Sequence, residues 1–186
     1  MADLSIYRKD PVHCRAITMT TYKIDDETVM VEGHLKDDRF VDTFSMSKGS
    51  MITPGIIHEM KIRLLIKGVD MIIEDVDVEL CTMPREECLE VSETLKPLVG
   101  QKIAPGFSGY IKKTFGGKKG CAHQNSLVIA MASAVVQGIW TNRASKYLDK
   151  KEYSKIMKPE MIINTCNVWR DDGPLAERLR QEIDKQ

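Results

Sequence analysis

His58-Glu59-Met60-Lys61-Ile62-Arg63-Leu64-Leu65-Ile66, a turn at Gly68, and Met71-Ile72-Ile73-Glu74-Asp75-Val76-Asp77-Val78-Glu79-Leu80 together decide the fold. The first run alternates in part and the second alternates well from Asp75 onward, which is the period-two signature of paired strands. Acidic residues fall on one face and valines on the other. That pattern describes an antiparallel sheet wet on one side and covered on the other. A second hairpin lies upstream. Arg15-Ala16-Ile17-Thr18-Met19-Thr20-Thr21-Tyr22-Lys23-Ile24 is rich in β-branched residues, Asp25-Asp26 signals a turn, and Thr28-Val29-Met30-Val31-Glu32-Gly33-His34-Leu35 returns. Residues 37–54 are polar, with Gly49 and Pro54, and read as a mobile loop.

Downstream, Pro84-Arg85-Glu86-Glu87 starts a helix, with proline in the first turn and acids facing the positive helix end. It runs through Cys88, Leu89, Val91 and Leu95 and stops near Pro97 and Gly100. Residues 105–120 hold five glycines and read as loop with a short strand over 109–113. From about His123 to Trp140 apolar residues lie on every side, which predicts a buried central helix. Beyond Asn142 the composition turns polar, and Leu175, Leu179 and Ile183 place an amphipathic helix over 175–183. The expected fold is α+β: an antiparallel sheet of about four strands with helices packed on one face. Residues 1–146 form the core domain and residues 147–186 a C-terminal helical extension of it.

The chain has 186 residues, 42% hydrophobic and 29% charged, an ordinary globular balance that can bury a real core. Formal net charge is zero and the pI is near 6.9, so no general nucleic-acid footprint is expected. Lys112-Lys113 and Lys118-Lys119 read as solvated loop charge. The longest apolar run, residues 127–136, falls short of the roughly 18 residues of a membrane span. The N-terminus lacks a basic region followed by an apolar one, so no secretory signal is expected and the predicted location is cytoplasmic. In that reducing compartment Cys14, Cys81, Cys88, Cys121 and Cys166 are thiols or ligands rather than a disulfide framework. No Cys-x-x-Cys pair is present, which argues against a structural zinc knuckle. Gly-x-Gly-x-x-Gly is also absent, and Gly106-Phe107-Ser108-Gly109-Tyr110 lacks nucleophile-elbow spacing, so dinucleotide and hydrolase readings have no support.

The chemistry concentrates in Gly116-Gly117-Lys118-Lys119-Gly120-Cys121-Ala122-His123-Gln124-Asn125-Ser126. A glycine and lysine loop delivers a thiol and an imidazole to a helix start, where the local field favours a thiolate. His58 opens the third strand, Cys81 ends the fourth, and Cys88 sits in the helix that follows. If that helix packs back on the sheet, His58, Cys81 or Cys88, Cys121 and His123 converge at one end of it. Such a mixed imidazole and thiolate set suits zinc or iron. Cys121 and His123 are also the catalytic candidates, as nucleophile and proton shuttle. His13 in His13-Cys14-Arg15 and Cys166 in the C-terminal segment are secondary candidates, and His34 reads as structural or exposed.

Three classes of function follow. The leading one is a metal-binding pocket. The second is a metal-free enzyme or accessory protein acting on small carboxylic acids or thioesters through Cys121. The third is a structural or oligomerisation domain whose C-terminal helix docks a protein partner. No motif names a reaction.

Several segments resemble a bacterial family known as domain of unknown function 2889. They are His13-Cys14-Arg15-Ala16-Ile17, Glu32-Gly33-His34-Leu35-Lys36-Asp37, Gly55-Ile56-Ile57-His58-Glu59-Met60-Lys61-Ile62-Arg63-Leu64, Leu98-Val99-Gly100, Gly120-Cys121-Ala122-His123, Gln137, Asn164-Thr165-Cys166 and Asp172-Gly173. That resemblance implies no reaction. The hairpin, the following cysteine and the later cysteine-opened helix are also similar to scaffold proteins of iron–sulfur cluster assembly. This second resemblance implies a zinc or cluster pocket at the sheet end, with His58 near the family's aspartate, Cys81 near its middle cysteine and Cys121 at its last. Ile56 falls at the first cysteine's place, and Cys81 is displaced by about two residues.

Overall fold

The computed structural model describes residues 2–146 and 162–184. Four long strands build one antiparallel sheet: β1 (His13–Lys23), β2 (Thr28–Arg39), β5 (Gly55–Lys67) and β6 (Ile72–Thr82), in the order β1-β2-β5-β6. Between β2 and β5 the chain makes a small hairpin of β3 (Thr43–Ser45) and β4 (Ser50–Ile52). The α+β fold read from the sequence is the fold observed. The turn after β1 forms as its acids require: the Asp25 carboxylate accepts from the Glu27 and Thr28 amides at 2.8 and 2.7 Å.

Alternation along the strands separates the two faces of the sheet. Val29, Val31 and Leu35 of β2 and Met60, Ile62, Leu64 and Ile66 of β5 face a common core and are nearly or fully buried. Their neighbours face water, where Arg63 bridges Glu32, Asp77 and Glu79 at 2.7, 2.7 and 2.6 Å and so ties β2, β5 and β6. Exposed pairs of this kind add little stability each, and their main effect is on strand register.

Two helices cover the apolar face, α1 (Phe107–Phe115) and α2 (Ala122–Ala144). Helix α1 replaces the loop and short strand expected there. Phe107, Ile111 and Phe115 recur every four residues and bury one stripe, which outweighs the glycines around them. Helix α2 is central but not wholly enclosed. Leu127, Val128, Met131, Val135 and Ile139 are buried, whereas Ser126, Ser133, Gln137 and Trp140 face outward.

The helix expected after Pro84 is replaced by two short 3-10 segments, Glu86–Val91 and Lys96–Leu98. Here the backbone bonds span three residues, and the Ser92 and Thr94 hydroxyls donate to carbonyls three residues back, competing with α-helical bonding. The loop expected over 37–54 likewise gives way: β2 runs on to Arg39, and the small hairpin occupies 43–52. Helix α3 (Pro174–Asp184) matches the amphipathic helix read at the C-terminus. Residues 147–161, the start of the expected extension, lie outside the described residues. Among the described residues no helix is long and apolar enough to cross a membrane.

Two glycines set the distance between α2 and the sheet. A Cβ at Gly33 would come within 2.6 Å of the Met131 sulfur, and one at Gly138 would overlap the Thr21 side chain. Gly138→Ala should therefore destabilise the protein by about 1–3 kcal/mol through overpacking, although alanine is the better helix former by about 1 kcal/mol. Adding Thr21→Ala should recover part of the loss, as read by urea denaturation. A gain in stability from Gly138→Ala alone would contradict the close contact.

Candidate metal centre

Asp37 continues the inward-facing series Val29, Val31, Gly33, Leu35 of β2, so it projects beneath the helices and is only 2% exposed. The sheet register sets Arg15 of β1 and His58 of β5 directly opposite it. Arg15 grips the carboxylate with both arms of its guanidinium, Nε donating to Oδ1 and Nη2 to Oδ2, each at 2.7 Å. His58 Nδ1 lies 3.1 Å from Oδ2, and His123 Nε2 lies 3.6 Å from the same oxygen. His13 Nε2 approaches Oδ1 at 3.5 Å. The His58 and His123 rings stack with centroids 4.0 Å apart and a tilt of 32°. Three of the chain's four histidines thus converge on one buried carboxylate.

His123 reaches this point because the first turn of α2 is pinned from two sides. The Asn125 amide donates to the Phe115 carbonyl at 2.7 Å, closing the C-terminal end of α1. Fully buried Gln124 donates to the Val91 carbonyl at 3.2 Å and accepts from the Thr94 hydroxyl at 3.3 Å. Cys121 stands at the N-cap with no capping hydrogen bond from its side chain, and its Sγ is 3.7 Å from His123 Nδ1. His123 therefore touches a thiol through one ring nitrogen and a carboxylate through the other.

The electrostatics follow from this packing. The Arg15 guanidinium holds the Asp37 carboxyl below the usual carboxylate range against the opposing effect of burial, with further help from His123 and His58. Burial lowers the His123 pKa, His58 and Arg15 add to the shift, and Asp37 opposes it. Neutral imidazole is the form that ligates a metal.

The structure brings two of the sequence candidates together, His58 and His123, and adds Asp37. One ligand atom from each of the three lies within 4.8 Å of the others. Cys121 touches His123 but stands outside that set. Cys81 and Cys88 do not join it. Leu80 packs toward the core, so Cys81 takes the outer face of β6, where its thiol donates to Glu79 Oε1 at 3.5 Å. Burial, aided by Glu79, pushes that thiol's pKa up. Cys88 lies half-buried in the Glu86–Val91 segment. His13 reaches the rim of the cluster, Cys166 is exposed, and His34 sits on the opposite face beside Glu59 at 3.0 Å.

The lowered pKa of His123 makes stability depend on pH. The folded state binds this proton less readily than the unfolded chain, so the stabilising contribution is complete above about pH 6.5 and is lost as pH falls below it. With a chelator present, the unfolding free energy should fall between pH 7 and pH 5, by at most about 1.4 kcal/mol per pH unit for this one proton. His123→Asn should flatten that slope in denaturant titrations run at each pH. An unchanged slope would remove His123 as its source.

No curated protein matches the chain, and no solved structure matches it, so no comparison shows the iron–sulfur-scaffold likeness. A family model described as Protein of unknown function (DUF2889) matches residues 13–137, from His13 at the rim past the whole cluster and most of α2. On that match, which covers more than half of its length, the chain belongs to the DUF2889 family.

Proposed function

We propose that this is a cytoplasmic protein that binds zinc or iron through Asp37, His58 and His123. The observation that carries the reading is the convergence of these three side chains. A tetrahedral ion with bonds of about 2.1 Å spaces its ligands about 3.4 Å apart. The His58–Asp37 and His123–Asp37 separations of 3.1 and 3.6 Å bracket that value. Two imidazoles and one carboxylate are a donor set used by catalytic zinc and by non-haem iron, and three protein ligands leave positions open for a substrate. All five cysteines are free, in keeping with a reducing compartment.

Equilibrium dialysis against zinc and against iron(II), on protein purified without a tag, tests the proposal. One equivalent should bind. His58→Ala, His123→Ala and Asp37→Asn should each weaken binding by more than about 100-fold, beyond what loss of an outer partner costs. Cys81→Ser and Cys88→Ser should leave it unchanged. Less than about one-tenth equivalent bound under saturating metal would sink the reading.

The contact between Cys121 Sγ and His123 Nδ1 at 3.7 Å favours a second, metal-free reading. In it, His123 takes the proton of Cys121, Asp37 holds the imidazole, and the thiolate attacks the carbonyl of a small thioester, forming an acyl-cysteine and breaking the bond to the substrate's thiol, which leaves with the proton from His123. Iodoacetamide should then label Cys121 faster than Cys88, and His123→Ala should remove the difference. Equal rates in the parent protein would reject it.

A further inference from the structure

We propose that the pocket takes an anionic ligand, one whose charged group is a phosphate or a carboxylate, entering over a cationic rim. In part this rests on the metal reading above, because it names the class of ligand for that site.

The first observation is how charge is distributed by depth. Asp37 is the single acid in the cluster, it is 2% exposed, and Arg15 already engages both of its oxygens. The parts that reach solvent belong to His13 and Arg15, whose side chains are 45% and 39% exposed, while His58 and His123 are recessed at about half that. An incoming group therefore meets the His13 and Arg15 donors first, with the Asp37 oxygens already engaged beneath them.

The second observation lies in the chain itself. Residues 94–148 hold eight lysines and arginines and not one aspartate or glutamate, although the whole chain is neutral. Lys96, Lys102, Arg143 and Lys146 of this stretch pair with acids elsewhere in the chain, which leaves the unpaired positive charge among the described residues of the stretch on Lys112, Lys113, Lys118 and Lys119. Lys118 and Lys119 lie just ahead of Cys121 on the loop that feeds α2, and both are exposed. Among the described residues neither pairs with an acid, and the same holds for Lys112 and Lys113; the Lys119 ammonium donates to the Lys113 carbonyl at 3.1 Å.

A bound divalent ion would add to this charge. The charge of Asp37 is already matched by Arg15, so two added positive charges have no counter-charge from the protein. Open coordination positions then favour an anion over a neutral ligand. His58 and His123 keep about a quarter of their side chains open to solvent, so both are within reach of a small charged group.

The test is an NMR titration of the full chain with inorganic phosphate and, separately, with acetate. Both the metal-free protein and protein loaded with one equivalent of zinc and dialysed are used. Saturable shifts in the His13, His123 and Arg15 side-chain signals are expected at millimolar anion, weaker at high salt. The anion that saturates at lower concentration identifies the charged group. Lys118→Glu with Lys119→Glu should weaken binding about fivefold or more at low ionic strength while leaving zinc stoichiometry unchanged. Zinc binding with no saturable anion shift overturns this inference and leaves the metal reading standing. Anion binding without zinc binding does the reverse, with the rim alone then carrying the inference. Shifts spread over the surface, or untouched by the charge reversal, also overturn it.

Discussion

The grip of Arg15 on Asp37 is the interaction on which the rest of the site depends. A carboxylate taken almost wholly out of water is expensive unless it is paired and hydrogen-bonded. Here two 2.7 Å bonds from one guanidinium meet that cost across the β1–β2 pair. Losing the arginine from a fully buried pair costs on the order of 3–5 kcal/mol; the cost here is smaller because Arg15 is more than a third exposed. With the carboxylate fixed, it orients His58 from the next strand and His123 from the helix above. One buried charge thus connects three strands and α2.

The placement of that charge follows from the hydrophobic pattern. Odd-numbered positions of β2 face the helices, and Gly33 lets Met131 pack close at the middle of the strand. Two residues past Leu35 the same face carries an acid instead of an aliphatic side chain. Above it α2 begins, and its first residues offer Cys121 and His123 rather than leucine or valine. The core therefore grades into a polar pocket within one strand step.

Much of this is legible in the sequence. The alternation of Asp75 to Leu80 and the Asp25-Asp26 turn predict the two hairpins, and Leu175 with Leu179 predicts α3. The turn also sets a register in which Lys23 faces Val29, and continuing it puts Arg15 against Asp37. An acid at an inward position opposite an arginine was the available signal for Asp37. Ending β2 at Leu35 hides it. The opposition of His58 and Asp37 is not legible, because residues 40–54 separate β2 from β5 and their length does not determine a register. Helix α1 is obscured by its glycines, although Phe107, Ile111 and Phe115 keep helical spacing. The Cys81 reading rests on nearness in the chain, whereas alternation places that side chain on the wet face.

The proposed metal site requires Asp37, His58 and His123 to share one ion. The most direct measurement is an anomalous difference map from crystals soaked in zinc or iron(II). A peak is expected about 2.0–2.2 Å from Asp37, His58 Nδ1 and His123 Nε2. A map with no peak there, or with metal held only by the cysteines, would contradict it.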